Sequence, residues 1–568
     1  MSLWKIARSP LGLLVAIAVL WSGSSCGRAE TPGLPAEDRL LDELMEDYVA
    51  ERFRFYPVEA TLAGLSGNDD RLGDYAHSDI QLRIAWLSDF QQKLVGLRLT
   101  TLSQPAYLDS LWLRSLVKDE LLDLEERALW RKTMSFYSEK ARVGLVALLV
   151  DPNLAERANA IAGRLAETPE LFARARENVG VASSVWRSDG LGSLEQCRQL
   201  FADIPEILKD RVAPHRLAEL ALLSRAATRA LQDTVSFVSR SEHADDADDY
   251  RLGYEGLERF LLYRDMVDWP IEELEERLEA DHLKAYHGVT ELALSQNPAL
   301  PLRDLRSPAN GAFDPLFLVE SVESNVRTFT KEISEADAPE SPISVVAVPY
   351  YFAAPYRVRL WRPAALEPNR PAFLMVSRDL EVELSKSEIE LLALLEVVGR
   401  SRAFVRQSGS PSLLRRVFAS GTTSEGYCLK RGSDLLELGF GAENTALRLA
   451  ERHRTLLEVT RLLAVLQLHA WGASLSEIEG LFYERGYVSR RRAKLEAVRV
   501  ATDPGAGRAA LGRMLLDELS RQYYRENPFA TAAELDERIL SGGLLPVRIM
   551  RFHLLGRGAP PGSWPYQR

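Results

Sequence analysis

Apolar residues at helical spacing run through almost the whole chain, and that pattern leaves room for little except a multi-helical fold. Leu41, Leu44, Met45, Tyr48 and Val49 fall at i, i+3, i+4, i+7 and i+8, the buried stripe of an amphipathic helix. The pattern breaks at Phe55-Tyr56-Pro57, and a loop follows from Gly64 to Tyr75. Its acids Asp69, Asp70 and Asp74 are read as partners of the local backbone and caps of the next helix rather than as a cation site. Residues Ile80–Leu300 read as successive long helices. Among them Ala155–Leu165 and, after Pro169, Glu170–Val179 carry charges opposite an apolar face. Near Pro342 the pattern changes. Ser344–Val348, Arg357–Trp361 and Ala372–Ser377 are short, β-branched or aromatic, and set between prolines, which predicts a small sheet. Helices return at Ser385 and continue nearly to the end. The expectation is a mainly α, large multi-helical fold with a small inserted β-sheet bordering a central cleft.

The boundaries follow from the same patterns. Residues 1–25 read as a signal peptide, 26–38 as a tether and 39–556 as one domain. That domain divides into a helical half at 39–340, a sheet insert at 341–384 and a second helical half at 385–556. An irregular Gly- and Pro-rich tail occupies 557–568. In the leader, Lys5 and Arg8 precede the apolar stretch Leu11–Trp21, which is too short to span a bilayer. Small residues then lead to Cys26. They look like a bacterial lipoprotein cleavage site, in which Cys26 becomes the lipidated first residue; Gly23 stands where an aliphatic residue is usual. Ordinary cleavage a few residues later is the alternative. Either way the expected location is the bacterial cell envelope, with membrane contact through an N-terminal lipid on the first reading.

Net charge is −11, and Arg490-Arg491-Arg492 is the longest basic run, so a nucleic-acid partner is not expected. Three cysteines exclude a disulfide framework, and whether Cys197 pairs with Cys428 stays open. No phosphate-binding glycine loop and no Gly-x-Ser-x-Gly elbow is present.

The most informative stretch runs from Ser387 to Phe440. Ser387-x-x-Glu390 is a helix-start signal ahead of the apolar run Leu391–Val398. That run holds a single charge, Glu396. About thirty residues on, Glu425-Gly426-Tyr427 opens another helical pattern. A glutamate inside one apolar helix and a Glu-Gly-aromatic in the next is the layout of a His-Glu-x-x-His zinc hydrolase. The histidines are missing: none occurs between His287 and His453. Glu396 shares its helix face with Ile389, Leu392 and Ala393, which favours burial over a solvent-facing edge. A carboxylate stranded there costs several kcal/mol, so a partner is expected. Arg400 lies four residues on, the favourable orientation for a Glu-to-Arg helix pair. The expectation is that Arg400 neutralises Glu396 and Glu425.

Four stretches taken together resemble one bacterial family, domain of unknown function 885 (DUF 885). They are Arg54-Phe55-Tyr56-Pro57-Val58-Glu59-Ala60-Thr61 with Asp69-Asp70-Arg71-Leu72-Gly73-Asp74; Tyr250-Arg251-Leu252-Gly253-Tyr254-Glu255; Ser424-Glu425-Gly426-Tyr427; and Leu535 to Pro546. The likeness spans about residues 40–555 and implies a zinc-dependent, metallopeptidase-like scaffold. The family's catalytic helix reads roughly His-Glu-Ala-x-Pro-Gly-His-His. Here Leu395 takes the place of the first histidine and Arg400 or Ser401 that of the second, while Glu396 and Gly399 persist. Leu468-His469 resembles a family segment whose aspartate is here Val465. Glu496-x-x-Arg499 keeps a family pattern but is followed by Val500 instead of Tyr. The resemblance therefore implies a degenerate member in which Glu396 is a vestigial general base and Glu425 and His469 are vestigial metal-site residues. Tyr427, Glu496 and Arg499 are candidate cleft residues. The leading expectation is a pseudoenzyme without cofactor that binds a peptide, an envelope polymer or a protein partner. The alternatives are a hydrolase whose zinc site is rebuilt around Glu425, His469 and a distant aspartate, or a structural role with the cleft collapsed.

Overall fold

The computed structural model of the protein describes residues 36–181, 183–241, 249–296, 313–333, 343–354, 358–361, 366, 372–377 and 384–556. The expected signal peptide, Cys26 and the tail lie outside the described residues. Helix α1 (Ala36–Phe55) begins inside the expected tether. Its first acids anchor it: Glu37 accepts the Arg98 backbone N–H at 2.7 Å and Asp38 that of Ser103 at 2.9 Å. The five stripe residues of α1 are all buried. Pro57 then starts α2 (Pro57–Ala63), where a missing N–H costs nothing. In the loop beyond, Asp69 accepts the Thr61 hydroxyl and pairs with Arg157, and Asp74 pairs with Arg71.

The first half continues through α3 (His77–Val95), α4 (Gln104–Leu121), α5 (Ser135–Leu149), α6 (Leu154–Asn178), α7 (Ser184–Leu208), α8 (Pro214–Arg240), α9 (Tyr254–Asp265), α10 (Ile271–Gln296) and α11 (Pro315–Ile333). Helices α5 to α8 pack on one another. Pro169 lies inside α6, which is continuous where two segments were expected. Packing along α5 and α8 outweighs the roughly 3 kcal/mol local cost of a helical proline.

The insert is a three-stranded sheet of β1 (Ser344–Val348), β2 (Val358–Trp361) and β3 (Phe373–Ser377), in the order β1-β3-β2. β1 runs parallel to β3 with Ser344 opposite Phe373, and β2 runs antiparallel with Val358 opposite Val376. β2 is thus an edge.

The second half holds α12 (Lys386–Leu395), α13 (Gly421–Glu437), α14 (Thr445–His469), α15 (Leu475–Arg485), α16 (Arg490–Thr502), α17 (Arg508–Glu526), α18 (Ala532–Ser541) and α19 (Val547–Leu555). The capping box of α12 is Ser385 with Glu388, two residues before the expected Ser387 and Glu390. Both pairs have the required spacing. Glu388 is the one that also meets Arg492, whereas Glu390 is engaged by Asn444. Helix α14 is buried all round from Leu456 to Leu466, as a central helix must be. One apolar core runs from Leu41 to Met550 and joins the two halves, and a second lies between the sheet, α11 and α12. Cys197 and Cys428 are both free and buried, so they do not pair.

Candidate functional site

At Glu396 the helix begun by α12 widens into a π turn, Glu396–Arg400, before resuming as Ser401–Ser408. Such one-turn insertions shift side-chain direction and recur at functional positions. One glycine brings this turn against α13, and a second brings α13 against α17. A Cβ at Gly399 would lie 2.5 Å from the Cys428 Cα, and one at Gly426 would lie 2.3 Å from the Gly512 carbonyl carbon of α17. Only glycine permits both approaches, and the first carries Glu425 to within reach of Arg400.

The Arg400 guanidinium then closes the site. Its Nε donates to both oxygens of Glu396, at 3.0 and 2.8 Å, and its Nη2 donates to Glu425 at 2.9 Å. Glu396 also accepts the Leu360 N–H from the outer edge of β2 at 2.8 Å. Arg359, beside it on β2, lies 3.7 Å from the other oxygen of Glu425. Glu396 is buried, as expected, and Arg400 is buried with it. Burial by itself pushes the Glu425 carboxyl up, but Arg400 and Arg359 outweigh it and hold it at about 2. Burial likewise opposes the charge on Arg400, and Glu396 and Glu425 keep it protonated.

A hydrolytic zinc requires three lone-pair donors around an open position. Between Glu396 and Glu425 stands a guanidinium, which has only N–H groups to offer. Leu395, at the first replaced histidine position, is buried in the second core and fits against Gly432, where a Cβ would lie 2.3 Å from its Cδ2. Among the described residues no group of three or more His, Cys, Asp or Glu side chains is placed to hold a metal ion. The donor set at Glu396 and Glu425 does not fit zinc.

His469 is elsewhere. It ends α14, is buried, and hydrogen-bonds through Nε2 to the Val500 carbonyl at 3.0 Å. Burial lowers its pKa to about 4, so the ring is neutral at pH 7 and Nε2 donates. Tyr427 is a correction to the cleft assignment: its ring is 1% exposed and belongs to the main core. Glu496 is also buried. It accepts from Arg461 Nε at 2.7 Å and from Nη2 as well, while Arg461 donates to Glu458 at 2.6 Å. The result is a packed charge ladder in which burial raises the Glu496 pKa and Arg461 brings it down to about 2. Arg499, one turn on, is half-buried within electrostatic range of Glu458, Glu496 and Asp503.

Apart from Glu425, the further polar residues around this site lie outside the motifs. The side chains of Arg359, Glu425, Arg508 and Asp503 keep 26, 29, 33 and 40% of their surface open to water. Arg508 donates to Asp503 at 3.0 and 3.1 Å. Asp265, at the end of α9, accepts the Thr422 hydroxyl of α13. Burial raises its pKa to about 6. Asp503 and Arg508 flank the glycine-rich turn at Gly505 and Gly507, whereas Arg359 and Asp265 carried no advance signal.

Two solved structures share this fold. A putative lipoprotein of unknown function from Shewanella oneidensis aligns with a TM-score of 0.70 at 16% identity, covering 91% of this chain and 99% of that one. A putative lipoprotein from Colwellia psychrerythraea aligns with a TM-score of 0.73 at 13% identity, covering 92% and 99%. At such identities the likeness concerns the fold. No curated protein matches the chain. The family described as bacterial protein of unknown function (DUF885) matches residues 57–554, and with four-fifths or more of its length inside that match, the chain belongs to the DUF885 family.

Proposed function

We propose that this protein is a catalytically silent relative of zinc-dependent peptidases, which binds a peptide, an envelope polymer or a protein partner in the cleft beside β2. The observation that carries this reading is Arg400, whose guanidinium bridges Glu396 and Glu425 and supplies a fixed cation. A permanently protonated side chain at that point offsets the carboxylate charge together with Arg359 and puts a cation without a lone pair where a metal would sit. The partly solvated charges at Arg359, Arg508 and Asp503 leave the cleft polar enough to bind a hydrated ligand. The lipid anchor at Cys26 belongs to the same proposal, and the two structural relatives described as lipoproteins support it.

The test is metal analysis of the purified protein after equilibration with zinc, run beside a peptidase screen with and without chelator. Less than a tenth of an equivalent of zinc and no chelator-sensitive cleavage is the expected result. One tightly held equivalent with chelator-sensitive cleavage would overturn the proposal in favour of a rebuilt metal site. Mass spectrometry of the mature N-terminus reports on Cys26 separately: a diacylglyceryl adduct is expected, and an unmodified chain starting downstream of Cys26 refutes the anchor.

A further inference from the structure

Lys140, on α5, stands in an aromatic box at some remove from Arg400. Its Nζ lies 4.0, 4.8 and 5.4 Å from the ring centroids of Phe136, Tyr75 and Tyr56. The residue is partly exposed, and among the described residues its amine has neither an ion-pair nor a hydrogen-bond partner.

The reason lies in how the nearby carboxylates are committed. Glu59 of α2 is held by Arg52 of α1 at 2.7 and 3.1 Å. Glu139, on the same helix as Lys140, is engaged by Arg142 at 3.1 Å and by the Ser193 hydroxyl at 2.9 Å. Asp123, in the π turn Leu122–Arg127 that follows α4, is shared by Arg127 at 2.6 Å and Arg264 at 2.7 Å. Each acid within electrostatic range of the amine already has a guanidinium. Arg52 also sits 5.1 Å from the centroid of the Tyr56 ring that Lys140 faces, which places a second cation beside the first. The ring faces favour the ammonium form, and against them act the loss of water, the neighbouring cation and the missing counterion, which are the surroundings that make a lysine nucleophilic.

We propose that Lys140 is a reactive amine that captures an aldehyde or ketone as an imine. In the forward step the Nζ lone pair attacks the carbonyl carbon and forms a C–N bond. The nitrogen gives up its two protons, the carbonyl oxygen takes up two and leaves as water, and the C=N bond replaces C=O; hydrolysis reverses the step. No oxidant or reductant is needed. Burial depresses the amine pKa to about 8, with Arg52 acting in the same direction and Glu59, Glu139 and Asp123 partly opposing it. At pH 7.5 roughly a quarter of such an amine is unprotonated, against about a thousandth of an ordinary lysine with a pKa near 10.4.

The experiment uses the full mature chain with pyridoxal as the aldehyde and cyanoborohydride to trap the imine, followed by peptide mapping of every lysine. At pH 7.5 Lys140 is expected to label at least tenfold faster than Lys93, Lys209 and Lys494, with a half-maximal rate near pH 8. A packing role alone predicts labelling of Lys140 no faster than at those exposed sites, or a midpoint above pH 10, and either result overturns the proposal. Because native labelling is the readout, no variant needs to fold. Zinc content does not enter the measurement, so this proposal fails or stands independently of the reading of Arg400.

Discussion

Replacing Arg400 with leucine tests the central electrostatic claim directly. The variant strands Glu396, which is 8% exposed and would keep a single donor, the Leu360 N–H. Glu425 would keep Arg359 at 3.7 Å and partial access to water. Removing one partner of a buried ion pair costs about 3–5 kcal/mol, and the residual solvation of Glu425 places R400L near the lower end, about 3 kcal/mol at pH 7. With an unfolding entropy of about 2.1 cal/mol/K per residue, a domain of roughly 500 residues loses about 1 °C of Tm per kcal/mol, so calorimetry should register a drop of about 3 °C. The sign of the pH dependence follows from Glu425. Its folded pKa of about 2 lies below the unfolded value, so its contribution is fully present above about pH 4.3 and is lost as pH falls toward 2. In R400L most of that contribution is gone already. The gap between the two proteins should therefore be widest at pH 7 and narrow below pH 4. The double variant R400L/E396L should be less destabilised than the two single changes summed, because no carboxylate is then left stranded at position 396. A loss below 1 kcal/mol at pH 7, or a gap independent of pH, would refute the reasoning.

Three further outcomes are expected. His469 should titrate near pH 4 by NMR; because burial lowers its folded pKa below the unfolded 6.5, its contribution of roughly 3 kcal/mol is present above pH 6.5 and lost as pH falls toward 4, and H469Q should flatten that part of the stability profile. G426A should destabilise by about 3 kcal/mol in thermal melts, since the new methyl meets backbone atoms of Gly512 and Arg513 at 2.3 and 2.5 Å, whereas G480A, with nothing within 4 Å, should be neutral or gain up to about 1 kcal/mol. Cys197 and Cys428 should resist alkylation in the native protein and react fully on unfolding without reductant, because both are free and buried and burial raises the Cys428 thiol to about 12; rapid native labelling of either one contradicts this placement.

Which parts of the site were legible depended on how local the cause was. The Glu396 and Arg400 contact follows from a four-residue spacing on an apolar helix, and the strands β1 to β3 begin and end within a residue of the β-branched runs that announced them. Tyr427 and Glu496 were less legible. Polar groups in a family pattern suggest a cleft, but whether a side chain faces water or another helix depends on what packs against it. Tyr427 faces the core, and Glu496 faces Arg461, thirty-five positions away. The start of α12 was displaced because two overlapping Ser-x-x-Glu pairs compete and only Arg492, far along the chain, favours Glu388.

By itself the sequence determined the helical architecture, the position of the small sheet, the family and the absence of histidine donors around Glu396, because these are matters of periodicity, turn chemistry and residue type. Only the tertiary structure decided that Arg400 reaches Glu425 as well as Glu396, that a backbone N–H of β2 completes the cluster, and that Lys140 is left without a counterion. Those outcomes depend on distances between segments that are remote along the chain. The close approach at Gly399 sets them at the first site, and the arginines that already hold Glu59, Glu139 and Asp123 set them at the second.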